Sequence, residues 1–200
     1  PTTGQRVNPF ASYGTPKKGD FLYKDLNGDG VIDDNDKYAV GHGLAPRLTY
    51  GFSLGAEWNG FDFSCLFQGN AGLQVYWQDK FYMGYINYGD VINKEIAEGA
   101  WREGRTNATY PRLLTGLNTL NAQPSDFWVQ NKSYLRLKNV QIGYKIPKKL
   151  LQKLDISQLR LYTSLENMLT FTSYKGIDPE ISGTTYPTMK QITVGVNVVF

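Results

Sequence analysis

The sequence is poor in the side chains on which disulfide-stabilised proteins and many metalloenzymes depend. Its 200 residues include one cysteine, Cys65, and one histidine, His42, so an internal disulfide and a thiolate metal site are excluded. No charge of one sign dominates, because 21 Lys and Arg residues are balanced by 18 Asp and Glu residues. With no basic run to neutralise a phosphate backbone, no nucleic-acid partner is expected.

Long apolar runs are also missing. No stretch approaches the ~18 residues that a transmembrane helix requires, and no signal peptide is recognised after Pro1. The chain is therefore expected to be soluble, or to meet a membrane as β-strands, or to have its natural N-terminus elsewhere.

Aromatic side chains and turn formers, by contrast, are abundant. The chain has 14 Tyr, 10 Phe and 4 Trp beside 21 Gly and 9 Pro. Aromatic side chains fit pleated surfaces, while Gly and Pro interrupt regular structure and form turns. The composition therefore predicts an all-β protein.

Strict alternation predicts a β-hairpin near the middle of the chain. At 48–58 one face is apolar and the other is small or polar. Asn59-Gly60 follows, a pair that strongly favours a tight hairpin turn. The returning strand, 61–69, alternates in the same way, with Leu66 as the exception. The apolar face of the first strand consists of Leu48, Tyr50, Phe52, Leu54, Ala56 and Trp58.

Three more strands are predicted, at 134–146, 159–170 and 190–200. Their ~9–11-residue lengths suit a tilted crossing of a bilayer. Five strands are too few for a membrane barrel, whose smallest bacterial form has about 8. The chain is therefore expected to be part of a larger barrel, and a half-buried sheet of a soluble β-sandwich is the alternative.

The connections alternate between short and long. A two-residue turn follows the first strand, and the second is followed by the long stretch 70–132, with one short helix predicted between Val91 and Trp101. A short connection at 147–157 then precedes a long one at 171–189. Short turns on one side and long loops on the other are typical of transmembrane barrels.

A calcium-type loop, DLNGDGVIDDND, occupies 25–36. Its oxygen donors alternate as in calcium loops, Gly30 permits the sharp turn, and Ile32 is placed to anchor the loop. Its five carboxylates would repel one another without a hard cation or solvent to screen them. The predicted ligands are Asp25, Asn27, Asp29, Val31 through its carbonyl, Asp33 and Asp36.

The form of this loop favours a structural calcium ion over a calcium sensor. The flanks do not read as the two helices that a sensor opens, and Asp36 is shorter than the usual Glu at position twelve. Dockerins carry similar loops, but in two copies, and here there is one. A turn that binds nothing is the alternative.

No pattern in the sequence indicates an enzyme, and no catalytic residue is assigned. GFSLG at 51–55 matches the nucleophile elbow, but Ser53 falls in mid-strand and His42 precedes it. Asp178 and Glu180 give no indication of the separation that a glycosidase pair needs. They are predicted to be solvated loop charges.

Four segments in order resemble a known family. They are GDFLYKDLNGDGVIDDNDK at 19–37, SYLRLKNVQIGYKIP at 133–147, LRLYTSLENMLTFTSYKGIDPE at 159–180 and YPTMKQITVGVNVVF at 186–200. Together they are similar to the C-terminal barrel region of the SusC/RagA-type TonB-linked outer-membrane proteins of Bacteroidetes-like bacteria.

The resemblance implies nutrient uptake across the bacterial outer membrane. Such a transporter is a barrel of about 22 strands around a plug, importing oligosaccharides or peptides with energy from TonB, under a SusD-like surface lipoprotein. This chain would supply an outer segment, 1–46, and the last barrel strands with their loops, 47–200, without the plug and N-terminal domains. The alternative is a soluble calcium-stabilised β-sandwich that binds glycans.

The resemblance also implies which end of each strand is outside. If the last strand ends at the periplasm, the short connections are periplasmic, and the long loops and the calcium-type loop are outside. Phe200 is then the expected barrel-assembly signal. The predicted lipid-facing residues are Tyr50, Phe52, Leu54, Phe61, Phe63, Phe67, Val194, Val196 and Val198, and the predicted lumen residues are Ser53, Glu57, Asp62 and Gln68.

Aromatic residues crowd the long outer loop. Trp77, Tyr82 and Trp101 are the predicted substrate contacts, because aromatic faces stack on sugar rings. Packing within the loop or against the lipoprotein is the alternative.

Overall fold

The structure is a computed structural model, and its described residues form nine strands and two short helices. They cover 14–41, 43, 45–76, 85–86, 92, 94–115, 120–121, 123–152, 155–181 and 185–200. The elements are β1 (Leu48–Trp58), β2 (Phe61–Ala71), β3 (Gln74–Tyr76), β4 (Tyr85–Ile86), α1 (Lys94–Gly99), β5 (Leu114–Thr115), β6 (Val129–Asn131), β7 (Tyr134–Lys145), α2 (Lys148–Leu151), β8 (Gln158–Thr172) and β9 (Gln191–Val199).

The chain divides into two compact units. One comprises Pro1–Gly41 with Tyr76–Val129, and the other comprises His42–Val75 with Gln130–Phe200. The calcium-type loop thus belongs with the middle of the chain, a grouping that the sequence analysis did not make. Among the described residues, neither helix is long or apolar enough to cross a membrane.

An antiparallel sheet of five strands, in the order β1-β2-β7-β8-β9, forms the second unit. The predicted all-β fold and all five predicted strands are confirmed, with β2 and β8 each running two residues further than expected at their C-terminal ends. At the hairpin turn Asn59 and Gly60 have φ of 47° and 86°. Positive φ at both central residues is the requirement of a type I′ turn, which matches the twist of the flanking strands.

The strand register places the apolar side chains of all five strands on one face. One row of paired residues runs across the whole sheet: Leu54, Cys65, Val140, Leu165 and Ile192. The two neighbouring rows, one residue along, are polar or small with the exception of Leu66, because side chains alternate between the faces of a strand. The predicted division of β1, β2 and β9 into an apolar and a polar face is confirmed.

The apolar face is not covered by other parts of the described chain. Val194 is 80% exposed and Trp58 is 77% exposed. Leu54, Phe61, Phe171 and Ile192 are each more than half exposed. A contiguous exposed apolar surface of this kind marks a site of contact with another protein or with a membrane.

A β-bulge interrupts β7 without mixing the two faces. Phe67 of β2 pairs with Leu137, and the preceding Leu66 pairs with Asn139, so Lys138 has no partner on β2. The extra residue restores the alternation, since Leu137 and Val140 both belong to the apolar face although they are three residues apart. A bulge of this kind also bends the strand.

The first unit has a small core of its own. Trp128 and Ile96 are each 1% exposed and pack with Tyr110. The partly buried residues around this cluster are Phe21, Tyr76, Ile92 and Leu113. The stretch 70–132 was expected to be irregular, and the structure instead gives much of it a packed core.

The close approach of Tyr50 to Gly69 generates a testable prediction. The two residues are paired, and the Tyr50 hydroxyl donates to the Tyr134 carbonyl oxygen at 3.1 Å. A Cβ at position 69 would lie 2.3 Å from that carbonyl oxygen and 2.6 Å from the Tyr50 ring. We expect Gly69→Ala to destabilise the sheet by about 1–3 kcal/mol, measured as a lower urea midpoint of the whole folded protein.

Gly55→Ala in the same hairpin is the matched control. A Cβ at Gly55 would meet its nearest atom, the Phe63 carbonyl oxygen, at 3.6 Å. The control should change stability by less than about 0.5 kcal/mol. Equal shifts for the two variants would contradict the close packing at Gly69.

Candidate functional site

The polar face of the sheet carries an ion pair near the short turns. Arg160 of β8 reaches over β7 to Asp62 of β2, with Nε 2.8 Å from Oδ2. The second nitrogen, Nη2, contacts the other carboxylate oxygen and also donates to Gln141 Oε1 at 3.1 Å. Three neighbouring strands are thus cross-linked on the face that the sequence analysis predicted to line a lumen.

Arg136 of β7 organises the opposite end of this face. Its guanidinium donates from Nη2 to Asp178 Oδ1 at 2.8 Å, from Nη1 to Glu180 Oε2 at 2.6 Å, and from Nε to Thr170 Oγ1 at 2.8 Å. The Arg136 and Asp178 side chains are each only 4% exposed. Lys138 also lies 2.7 Å from the Glu180 carboxylate.

The prediction that Asp178 and Glu180 are solvated loop charges is therefore wrong. Burial raises the pKa of Asp178, but hydrogen bonds from Arg136, the Glu180 amide and Thr188 lower it by more, so that the pKa lies below its usual value. The carboxylate stays charged at neutral pH. No local pattern in the sequence indicates this pairing, because Arg136 lies 42 residues before its partner.

Both carboxylates belong to the segment between β8 and β9, whose described residues, 173–181 and 185–190, are called the anchored loop below. Lys132 donates from Nζ to the Ile181 carbonyl oxygen and lies over the Tyr174 ring, 5.5 Å from its centroid. Burial lowers the pKa of Lys132. Together with the Arg136 contacts, these bonds hold the loop against the beginning of β7.

The calcium-type loop is shaped by its own carboxylates. Asp25 accepts hydrogen bonds from the Gly28 and Gly30 amides at 2.6 and 2.8 Å. Asp36 accepts from the Leu26 amide at 2.7 Å and from the Asp33 amide at 2.9 Å. The hydrogen bonds from the Asp33 and Leu26 amides hold the pKa of Asp36 below its usual value.

The donor set of this loop fits calcium. Its predicted ligands offer only carboxylate, amide and carbonyl oxygens, which are the ligands of a hard cation. Among the described residues, no three Asp, Glu, His or Cys side chains are grouped closely enough to hold a metal ion. The ligand set therefore stays a prediction. Ile32 is buried against Leu120, which confirms its expected role as the anchor of the loop.

A second buried ion pair holds the chain just before this loop. Arg112 donates from Nε and Nη2 to the two oxygens of Asp20 at 2.6 and 3.0 Å. Asn121 donates to Asp20 at 2.9 Å and accepts from the Phe21 amide at 2.9 Å. Burial raises the pKa of Asp20, and the bonds from Arg112, the Lys17 amide and Asn121 lower it by more.

Of the three predicted substrate contacts, Trp101 alone lies among the described residues. Trp77 and Tyr82 lie outside the described residues. The Trp101 indole lies flat against the backbone of Gly19, since a Cβ at that glycine would be 2.4 Å from Trp101 Cε3. Phe200 follows β9 and is 85% exposed.

The chain is similar to one segment of several larger proteins. It is 31% identical over 203 residues to the TonB-dependent receptor P3 of Formosa agariphila, a match that covers 94% of this chain and 20% of the receptor. It is 27% identical to the TonB-dependent receptor SusC of Bacteroides thetaiotaomicron, over 90% of this chain and 17% of SusC. The chain thus spans about a fifth of the length of the curated relatives it matches.

The fold has a counterpart of known structure. The RagAB peptide importer in its open-open state matches 89% of this chain and 20% of the importer chain, with a TM-score of 0.67 and 28% identity. A second RagAB structure gives a TM-score of 0.65 and 29% identity. No protein-family model matches the chain.

The Asp20–Arg112 pair generates a prediction for the first unit. We expect Asp20→Asn to lower its stability by about 2–4 kcal/mol, because Arg112 loses its charged partner where both are largely buried. Hydrogen exchange of the Phe21 and Arg112 amides should accelerate accordingly. Since the pKa of Asp20 is lowered by folding, the pair should be at full strength above about pH 4 and be lost below that range.

Asp34→Asn serves as the control. Asp34 pairs with Lys37 at 2.6 Å, but its side chain is 80% exposed. Removing such a pair should cost less than about 0.5 kcal/mol. The interpretation of Asp20 as a buried anchor would fail if both variants exchanged at the same rate.

Proposed function

Because this chain is homologous to one segment of the TonB-dependent receptors, we propose that it forms part of the wall of an outer-membrane transporter. The relatives are named receptors and importers, and none of them is named an enzyme. The observation that carries the proposal is the sheet itself, with an uncovered apolar face and a charged face crossed by ion pairs.

A lipid bilayer is the apolar phase that best covers such a face. The strands of the sheet contain 9 to 15 residues, enough to cross a bilayer, which takes ~9–11 tilted residues. Apolar residues face lipid and polar residues face the interior in every transmembrane barrel of this kind. A soluble sandwich would have to cover the same face with a second sheet. The soluble glycan-binding alternative is therefore not favoured.

The two edges of the sheet agree with a segment of a larger barrel. Within the sheet, β1 pairs only with β2, and β9 pairs only with β8. An unpaired strand edge cannot be left in the hydrocarbon layer, because no water is there to satisfy its backbone groups. Strands from the rest of the transporter would complete the pairing on both sides.

The transported molecule and the partners follow the relatives. We propose import of peptides or glycans, since RagAB is named a peptide importer and the SusC resemblance implies oligosaccharides. A SusD-like lipoprotein would close over the outer loops, and TonB would act through N-terminal parts that lie beyond these residues. Trp77, Tyr82 and Trp101 remain the proposed substrate contacts, and Phe200 the proposed assembly signal.

Adjacent residues of β9 test the membrane assignment. Val194 lies on the apolar face and Thr193 on the polar face, where it pairs with Ser164. In the full-length receptor, Val194→Arg should reduce the folded barrel recovered from the outer membrane, because Arg on the lipid face costs about 2–4 kcal/mol at the midplane. The readout is heat-modifiable migration of the outer-membrane fraction on a gel.

Thr193→Arg is the control and should be recovered at nearly the level of the unmodified receptor. Deletion of Phe200, measured in the same fractionation, should also lower recovery if this residue is the assembly signal. Equal recovery of the two arginine variants, or a receptor found in the soluble fraction, would refute the membrane assignment.

We also propose that the loop 25–36 binds calcium as a structural ion. The ion would offset the mutual repulsion of the carboxylates and tie the loop closed. The residues that would hold it are Asp25, Asn27, Asp29, Val31, Asp33 and Asp36. This site supplies stability to an outer segment and takes no part in chemistry.

Calcium should stabilise the purified full-length receptor. At a hundredfold excess over Kd, one bound ion adds about 2.7 kcal/mol, which is measured as a rise in the melting temperature of the first unit. Asp25→Asn combined with Asp29→Asn should abolish the rise, whereas Asp34→Asn, which is not a predicted ligand, should retain it. A calcium response that is unchanged in the double variant would contradict the proposed calcium site.

A further inference from the structure

We propose that Arg136 is a positioning residue that fixes the anchored loop, 173–181 and 185–190, on the polar face of the sheet as a stationary part of the import path. The inference rests on the proposed function, because that function makes the polar face the wall of the path. The anchoring of the loop by Arg136 rests only on contacts within the second unit, and it does not require the proposed function.

Each of the three guanidinium nitrogens of Arg136 donates one hydrogen bond to the loop or to the end of β8 that leads into it. Asp178 and Glu180 of the loop each take one terminal nitrogen, and Thr170 of β8 takes Nε. A buried arginine without these partners would be an uncompensated charge. The loop therefore cannot leave the sheet unless Arg136 is exposed to water or finds other acceptors.

Hydrogen bonds within the loop hold the Asp178 carboxylate in place. Asp178 accepts from the Glu180 amide at 2.8 Å through the same oxygen that meets Arg136, and its other oxygen accepts from the Thr188 amide at 3.1 Å. These bonds join the outgoing and returning arms of the loop. The Asp178 side chain therefore joins both arms of the loop at the point where it binds Arg136.

Further bonds hold the end of β8 and the part of the loop before residue 182. The Thr172 hydroxyl donates to the Ser133 carbonyl oxygen at 2.8 Å, and the Lys175 amide donates to Gln130 Oε1 at 3.2 Å. Lys132 holds the Ile181 carbonyl oxygen. The partners of these three bonds, Gln130, Lys132 and Ser133, all lie just before β7, so the loop is held where this strand begins.

A cleft of about 210 Å³ lies between the loop and the sheet. Arg136 and Thr170 line it from the strands, and Ile177, Pro179 and Pro187 line it from the loop. Its shape depends on the distance at which Arg136 holds Asp178. If the cleft contacts the imported molecule, loss of Arg136 should weaken binding more than it lowers the maximal rate.

The test uses the purified full-length receptor in detergent, where both ends of the barrel can be reached by protease. Lys175 is exposed, and trypsin cleavage between Lys175 and Gly176 reports release of the loop. We expect Arg136→Met to be cut there at least tenfold faster than the unmodified receptor, and Arg136→Lys at an intermediate rate, because one ammonium cannot replace the three contacts.

Lys145→Met is the matched control on the same strand and face. Its partner Glu57 lies 3.5 Å away, and both side chains are well exposed, so its loop should be cut at the unmodified rate. Should Arg136→Met fail to fold, Asp178→Asn with Glu180→Gln releases the loop from the other side. Heat-modifiable migration must be unchanged in any variant that is scored, which separates loop release from loss of the barrel.

Uptake by cells supplies the functional readout, with a tryptic digest of casein as the peptide probe. Arg136→Met should raise the half-saturating concentration of the digest at least threefold while the maximal rate per folded barrel stays within twofold. Cleavage of Arg136→Met at the unmodified rate would overturn the anchoring, and an unchanged half-saturating concentration would overturn the role in the path. Absence of uptake by the unmodified receptor would instead contradict the proposed peptide substrate, and the trypsin result would still decide the anchoring.

Discussion

The pairing register of five strands is the constraint on which the second unit depends. A slip of one residue between any two strands would move a row of apolar side chains to the polar face. The bulge at Lys138 shows how closely this constraint is kept. One residue is added to β7, the strand bends, and the apolar residues on both sides of the bulge still share one face. Arg136 and Lys138 also come to lie together at the end of the polar face, where both reach Glu180.

The two units contain different kinds of stabilisation. The second unit is held together mainly by backbone pairing and by ion pairs across strands, because its apolar side chains are largely uncovered within the described chain. In the first, Trp128 and Ile96 form a small interior, and Asp20 with Arg112 binds distant parts of the sequence. Both units have largely buried arginine pairs that join segments separated by more than forty residues: Asp20–Arg112 in the first, and Arg136–Asp178 and Arg160–Asp62 in the second.

The sequence predicts the parts of the fold that arise from short local patterns. The alternation of β1, the Asn59-Gly60 turn and the spacing of the calcium-type loop are local patterns, each set by a few adjacent residues. The core around Trp128 has no such pattern, because its members come from scattered turns and short elements. The pairing of Arg136 with Asp178 was hidden for a related reason. A charged residue on the polar side of a strand looks the same in sequence whether it meets water or a loop that folds back. The three-residue spacing from Leu137 to Val140 marks the bulge beside Arg136, but it does not indicate the loop that pairs with this residue.

The order of strands in the sheet has a consequence for how quickly it can assemble. The pair β1–β2 and the run β7–β8–β9 are each joined by connections within themselves, so both can form from contacts that are close in sequence. Bringing β2 to β7 requires closure of a connection of 62 residues, from Gly72 to Ser133, and the entropy lost rises with its length. Early folding of the core around Trp128 would shorten the free part of that connection. The small interior of the first unit would then set the rate at which two strand groups become one sheet.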